Sequence, residues 1–291
     1  MSATLKVGST LQGGKYRIIR VLGQGGFGIT YEAEQVNLGR IVAVKEFFMK
    51  DCCERDESTS SVNVPSAGQK ALVEKFRGKF IREAKLIAGM KHIGLVPVHD
   101  VFEENDTAYY VMDYLPGGSL SSKVKAAGKL PEAEALGYIR QVADALKYVH
   151  GRNTLHLDVK PANILLDEDG KAVLVDFGVS KHYDEAGEQT SSTPVAISAG
   201  YAPLEQYKAG DVSKMQPTTD IYALGATLYY LVTGQAPPDA SDVYEEGLLR
   251  PAGISDGVWA AIEKVMQPRG KTGRRVQQNS WHYCRPPRFL R

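Results

Sequence analysis

Three side chains within the stretch His156-Leu157-Asp158-Val159-Lys160-Pro161-Ala162-Asn163 have types and spacing that suit chemistry better than packing. Asp158 offers a carboxylate that can take a proton from a hydroxyl nucleophile. Lys160, two residues on, offers an ammonium that can offset charge on a transferring phosphoryl group. Asn163, at offset five, offers an amide oxygen that can bind a hard cation. A second carboxylate, Asp176, follows thirteen residues later in Asp176-Phe177-Gly178, directly after the apolar run Val173-Leu174-Val175. A base, a cation and two hard oxygen donors are what metal-assisted transfer of a phosphoryl group to a hydroxyl requires.

Such groups act only if strands and helices hold them. Tyr16–Leu22 alternates loosely and reads as a strand, and Gly23-Gln24-Gly25-Gly26-Phe27-Gly28 follows before Ile29-Thr30-Tyr31 resumes β-type residues. Glycines allow a tight hairpin whose N–H groups approach phosphate oxygens. The G-x-G-x-x-G pattern alone is weak, because a dinucleotide-binding turn shares it. That turn opens a helix, however, and none opens here. A plain glycine-rich hairpin is the bland alternative. Ile41-Val42-Ala43-Val44-Lys45 is a third strand, and Lys45 is either an edge-strand surface lysine or a phosphate ligand.

Residues 50–68 are polar and read as a mobile loop. From about Gln69 to Met90, Val73, Phe76, Phe80, Ala84 and Ile87 recur at helical steps, with Glu83 among them as a solvated charge or an ion-pair partner. Strands near Leu95–Val101 and Ala108–Met112 lead to Pro116-Gly117-Gly118, which breaks the strand. Pro131 to Gly151 reads as a helix, and Asn163–Leu166 and Ala172–Val175 as short strands joined at Asp167-Glu168-Asp169-Gly170. Asp176-Phe177-Gly178 opens a segment of more than twenty residues with little periodicity that includes Thr190-Ser191-Ser192-Thr193; a loop of that length is usually functional or disordered. Thr219-Asp220 is expected to cap an all-round apolar, hence buried, helix over Ile221–Val232. Ser255 to Met266 reads as a further short helix with Trp259 and Ile262 inward.

The chain has 291 residues and a net charge of +1, which gives no general electrostatic case for nucleic acid or an anionic membrane. Three cysteines, Cys52, Cys53 and Cys284, do not make a disulfide framework, so a reducing, cytoplasmic setting fits. No signal peptide and no run of ~18 apolar residues is visible, so no membrane segment is expected in this chain.

Taken together, these motifs resemble those of the protein kinase superfamily, and in particular the bacterial eukaryotic-like Ser/Thr kinases. The resemblance covers about residues 11–268. It implies an α+β, bilobal protein kinase fold: an antiparallel β N-lobe with one helix (about 11–112), a hinge (113–118) and a mainly α-helical C-lobe (119–268). Residues 269–291 form an atypical tail, expected to be truncated or disordered. ATP would lie in the cleft between the lobes.

The resemblance also implies roles. Lys45, paired with Glu83, would align the α- and β-phosphates under the loop Gly23, Gln24, Gly25, Gly26, Phe27 and Gly28. Leu22, Thr30, Ala43 and Leu165 would sandwich the adenine, with Met112 as gatekeeper and backbone groups of Asp113 and Leu115 bonding the ring. Asp158 would be the base and Lys160 the charge partner, with Asn163 and Asp176 as ligands of Mg²⁺. Ser198 would touch Asp158 and Lys160, Asp220 would brace the backbone of the loop that holds them, and Glu205 stands where a structural glutamate belongs. The spacing for its arginine partner falls at or near Gly273, which leaves Arg274 or Arg275 as an imperfect partner, or none. ATP and Mg²⁺ are the implied cofactors, and protein Ser/Thr hydroxyls the implied substrates. Autophosphorylation is expected at Thr190, Ser191, Ser192 or Thr193. One departure is Leu157, where the family usually has arginine. A pseudokinase would lack one of Lys45, Asp158, Asn163 or Asp176, and all four are present. A related small-molecule phosphotransferase would lack the Gly200-Tyr201-Ala202-Pro203-Leu204-Glu205 ending.

Overall fold

The computed structural model describes residues 3–177, the backbone of 181–182, and residues 198–207 and 215–267. Gly178, the hydroxyl cluster Thr190 to Thr193 and the tail beyond residue 267 lie outside the described residues. The chain divides into two compact units, one of residues up to Lys91 with Leu95–Leu115, the other of His92–Gly94 with the residues from Pro116 onward.

The first unit contains strands β1 (Thr10–Leu11), β2 (Tyr16–Gln24), β3 (Gly28–Gln35) and β4 (Arg40–Phe47). A small hairpin of β5 (Glu54–Arg55) and β6 (Val62–Asn63) follows, then helix α1 (Ala67–Ala88) and strands β7 (Val98–Glu104) and β8 (Thr107–Asp113). Six strands form one antiparallel sheet in the order β1-β2-β3-β4-β8-β7. Its register sorts the side chains into two sets, because residues directly opposite each other share a face. Tyr31 lies opposite Val44, Val44 opposite Val111, and Glu46 opposite Tyr109. That face enters an apolar core with Leu5, Ile18, Ala33, Val42 and Phe48. Each fully buried apolar side chain there contributes roughly 1.5–3 kcal/mol. The other face carries Thr30 opposite Lys45, Lys45 opposite Tyr110, and Ala43 opposite Met112. Phe80 of α1 packs on this second set, 5.0 Å from the Tyr110 ring and 5.8 Å from that of Phe47.

The polar stretch 50–68, expected as a mobile loop, is instead tied down. Its β5–β6 hairpin pairs Arg55 with Val62. Cys53 and Val62 join the apolar core, and Arg55 is buried against Glu46. Composition hid this because the anchor is itself a charged residue.

In the second unit, α2 (Leu120–Ala127) starts at a capping box in which Ser119 and Ser122 exchange hydrogen bonds. It is followed by α3 (Glu132–His150), β9 (Thr154–Leu155), β10 (Ile164–Leu166), β11 (Ala172–Leu174) and β12 (Lys181–His182). Helices α4 (Leu204–Tyr207), α5 (Pro217–Thr233), α6 (Ala240–Glu246) and α7 (Asp256–Val265) complete the described part. Strand β10 pairs with β11, and β9 with β12. Helix α5 is the central one: 12 of its 17 residues are buried, as its all-round apolar sequence requires. It packs against α3 and α7. Gly225 is what lets α7 approach, since a Cβ there would strike the side chain of Val265.

The expected cap of α5 is corrected. The helix begins earlier, at Pro217, with Gln216 as N-cap bonded reciprocally to Thr219. Asp220 sits inside the first turn, and its carboxylate is used elsewhere. Helices α2 and α6 were not legible in the hydrophobic pattern, being about two turns each. Among the described residues, no helix is long and apolar enough to cross a membrane.

Candidate active site

The stretch from His156 to Asn163 joins β9 to β10 and contains no long regular element, so side chains must hold its backbone. Asp220, almost fully buried in α5, does most of this. Its Oδ2 accepts the N–H of His156 at 2.9 Å and its Oδ1 that of Leu157 at 2.7 Å. His150, at the end of α3, stands 2.7 Å from Oδ2 through Nε2. Leu157 has φ +64°, a left-handed conformation that disfavours side chains. Its carbonyl accepts from Gln206 Nε2 at 3.0 Å, so both of its peptide groups are clamped. The Leu157 side chain is buried with Leu155 and Met215.

His156 is buried, and its hydrogen bonds define its tautomer. Nε2–H donates to the carbonyl of Val175 at 3.1 Å, leaving Nδ1 to accept the N–H of Asp158 at 3.3 Å. Burial pushes the ring below the ordinary imidazole range, outweighing the raising effect of the Asp220 carboxylate. The neutral ring also packs 4.6 Å from Phe177.

Asp158 is the hub of what this scaffold presents. Its Oδ1 accepts the hydroxyl of Ser198 at 2.7 Å. Its Oδ2 accepts from Asn163 Nδ2 at 2.8 Å and pairs with Lys160 Nζ at 2.9 Å. Lys160 also donates to Ser198 Oγ at 2.9 Å, closing a triangle of carboxylate, ammonium and hydroxyl. Asn163 donates further to the carbonyl of Asp158 at 2.9 Å. Its amide donors are thus directed at Asp158, leaving the amide oxygen as an acceptor. The N–H of Val175 donates to the carbonyl of Asn163 at 2.9 Å, bringing Asp176 beside it. Asp176 has φ +52°, again left-handed. An amide oxygen and a carboxylate are the kinds of donor that suit Mg²⁺, which keeps waters and phosphates as its other ligands and needs few from protein.

In the first unit, the sheet face opposite the apolar core brings together Thr30, Ala43, Lys45 and Met112. Lys45 Nζ lies 5.8 Å from the Tyr110 ring, the ring that Phe80 also meets. Glu83, half-buried, follows Phe80 on α1 by three residues, hence on the same side of the helix. Leu22, Gly23 and Gln24 end β2; Leu22 falls at a register shift between β2 and β3, and Phe27 is exposed at the turn with Gly25 and Gly26. Gly28 opens β3, where a Cβ would lie 2.7 Å from the carbonyl oxygen of Glu46. Asp113 closes β8, its carboxylate 2.6 Å from His99 Nε2, and Leu115 ends this unit. Leu165 lies in β10 of the second unit.

Two supports escaped the sequence reading. His150 carries no motif and is marked only by its burial as a polar group, while Gln206 ends the motif of residues 200–206 but had no role assigned to it. Glu205, the expected structural glutamate, accepts from Thr219 Oγ1 at 3.2 Å. Its expected partners Arg274 and Arg275 lie outside the described residues.

Comparison with known proteins gives a consistent result. A family model described as protein kinase domain matches residues 16–253. The chain is 33% identical over 226 residues to the serine/threonine-protein kinase PrkC of Bacillus subtilis, covering 78% of this chain and 31% of that one. It is 35% identical over 237 residues to the serine/threonine-protein kinase PknA of Mycobacterium tuberculosis, covering 80% and 49%. The chain therefore spans a third to a half of the length of these relatives. A solved structure titled PpkA-294 apo form superposes with a TM-score of 0.76 at 29% identity, over 91% of this chain and 94% of that one.

Proposed function

The chain belongs to the protein kinase family, in its bacterial eukaryotic-like serine/threonine branch, and from that premise we propose that it transfers the γ-phosphoryl group of ATP to Ser/Thr hydroxyls of proteins. The observation that carries this reading is the cluster on Asp158. A hydroxyl, that of Ser198, already donates to Oδ1 at 2.7 Å, so an acceptor hydroxyl can be held there in the same way. Asp158 takes the proton of that hydroxyl as the new O–P bond forms. Lys160, within reach of the same carboxylate, offsets charge on the transferring group. Asn163 and Asp176 would hold Mg²⁺ through their side-chain oxygens, and that ion, when bound, would supply neutralisation of phosphate charge.

In the first unit, Lys45 aligns the α- and β-phosphates and Glu83 orients Lys45. The turn from Gly23 to Gly28 covers the phosphates with its N–H groups. Leu22, Thr30, Ala43 and Leu165 sandwich the adenine and Met112 stands behind it as gatekeeper, a reading supported for Thr30, Ala43 and Met112 by their shared side of the sheet. Catalysis of this kind is positioning and electrostatics, with little covalent work for the protein.

The test is incubation of the purified chain with Mg²⁺ and labelled ATP, followed by mapping of phosphosites by mass spectrometry. Label on Ser or Thr, in the chain or in an added protein, is expected. No transfer from a folded, nucleotide-binding chain would overturn the proposal and leave a binding module without turnover.

A further inference from the structure

Glu46 follows Lys45 in β4 and points to the opposite face of the sheet, where it is completely buried. A buried carboxylate must be fully satisfied to be tolerated. Glu46 accepts the Tyr31 hydroxyl on Oε2 and the Tyr109 hydroxyl on Oε1, each at 2.7 Å. Arg55 supplies the counter-charge, its Nη2 being 2.6 Å from Oε2. The remaining edges of the guanidinium bind main chain: Nε donates to the carbonyl of Ala3 at 2.8 Å and Nη1 to that of Ser60 at 2.7 Å. Arg55 Cζ also lies 5.5 Å from the Phe48 ring. One planar fork thereby ties the N-terminal segment and the β5–β6 hairpin to the residue next to Lys45.

The segment so anchored is the seat of the glycine turn. Phe48 N–H donates to the carbonyl of Phe27, and Lys50 N–H to that of Gly26, both at 3.1 Å. Gly28 sits against the carbonyl oxygen of Glu46, too close for any side chain. Gly26, Phe27 and Gly28 thus rest on residues 46–50, and Arg55 fixes those residues from the far side.

We propose that Arg55, acting through Glu46, is a positioning residue for the phosphate-binding loop and Lys45. The inference rests on the reading that this loop and Lys45 hold the phosphates of ATP. It predicts that disturbing Arg55 weakens recognition of phosphates and leaves recognition of the nucleoside intact.

The experiment is calorimetric titration of the full chain with two probes, AMP-PNP with Mg²⁺ and adenosine. Arg55→Lys keeps the charge but cannot reach a carboxylate and two carbonyls in three directions. It is expected to weaken AMP-PNP about tenfold, equivalent to ~1.4 kcal/mol, with adenosine affinity unchanged. A lower stoichiometry with both affinities unchanged would mean a purely structural role and overturn the proposal. Equal weakening of both probes, or of neither, would also overturn it. Where Arg55→Lys does not fold, Tyr109→Phe removes one hydrogen bond from Glu46 Oε1 and carries the same expectation at smaller size. Lys45→Met is titrated in parallel. If it weakens AMP-PNP while the Arg55 variant does not, the inference alone fails. If Lys45→Met binds AMP-PNP as the parent does, the reading of the phosphate site fails and takes the inference with it.

Discussion

Leu157 donates its backbone N–H to Asp220 at 2.7 Å while holding a left-handed φ of +64°. A non-glycine residue in that conformation costs roughly 1–3 kcal/mol and persists only where the surroundings over-determine it. Here the over-determination is a buried carboxylate on α5, reached from 63 residues away along the chain. The shape of the loop that presents Asp158 is therefore a property of α5 as much as of the loop.

The first prediction follows directly. Asp220→Asn keeps the size but has one acceptor oxygen where the carboxylate had two. It leaves the N–H of His156 or Leu157, or the ring of His150, without its partner. Leaving such a buried donor unsatisfied costs about 1–3 kcal/mol, a sizeable share of the ~5–15 kcal/mol that holds a domain folded. Chemical denaturation should register the loss, and turnover should fall with it. A variant as stable and active as the parent would show that the three contacts at Asp220 are incidental.

Leu157 carries a second prediction. Its side chain is buried with Leu155 and Met215 and cannot make a charge-assisted bond to a phosphate. Activity should accordingly not depend on phosphate at Thr190, Ser191, Ser192 or Thr193 being read at this position. Replacing all four by Ala should change the rate on a protein substrate far less than the ~10²–10³-fold of a lost transition-state contact. A drop on that scale would refute it. Leu157→Arg should destabilise the chain, because it drives an unpaired charge among apolar side chains.

The third prediction concerns pH. His156 titrates below its unfolded value of about 6.5. The unfolded chain thus binds the proton more tightly, and falling pH favours unfolding. The contribution of the neutral ring is fully present above about pH 6.5 and is lost as the pH falls through the folded value. Melting temperature measured between pH ~7 and ~5 should decline more steeply for the parent than for His156→Gln, which has no ring to protonate. Parallel curves would mean that the ring is not held neutral.

The fourth prediction tests the seat of the glycine turn. A Cβ on Gly28 would lie 2.7 Å from the carbonyl oxygen of Glu46, a backbone atom that cannot rotate away. Gly28→Ala should therefore push the turn off β4 and weaken Mg²⁺-AMP-PNP by about tenfold or more. An unchanged affinity would show that the turn relaxes freely.

Much of this was readable in the sequence, for physical reasons that differ by residue. Asp158, Lys160 and Asn163 were legible because their spacing is dictated by short-range chemistry, and they do converge, with Ser198, on one carboxylate. Thr30, Ala43, Lys45 and Met112 were singled out through the family resemblance, and the strand register puts them on one face. Asp220 was assigned two tasks, capping α5 and bracing the loop. Only the bracing is seen, because the cap position falls at Gln216. The anchor at Arg55 was missed because a hydrophobicity pattern counts a buried arginine as surface. Its partners, Ala3, Glu46 and Ser60, share no periodicity with it. Gln206 stood in a recognised motif, but its task was missed because its partner is a main-chain carbonyl, which no side-chain motif records.

The central claim is that Asp158 is the base of a phosphoryl transfer to hydroxyls. Its most direct test is the rate of label transfer from γ-labelled ATP by Asp158→Asn, with AMP-PNP binding measured on the same preparation. The variant should bind AMP-PNP as the parent does and transfer about 10²-fold more slowly or worse, the scale of a lost general base. Transfer at near the parental rate would contradict the account.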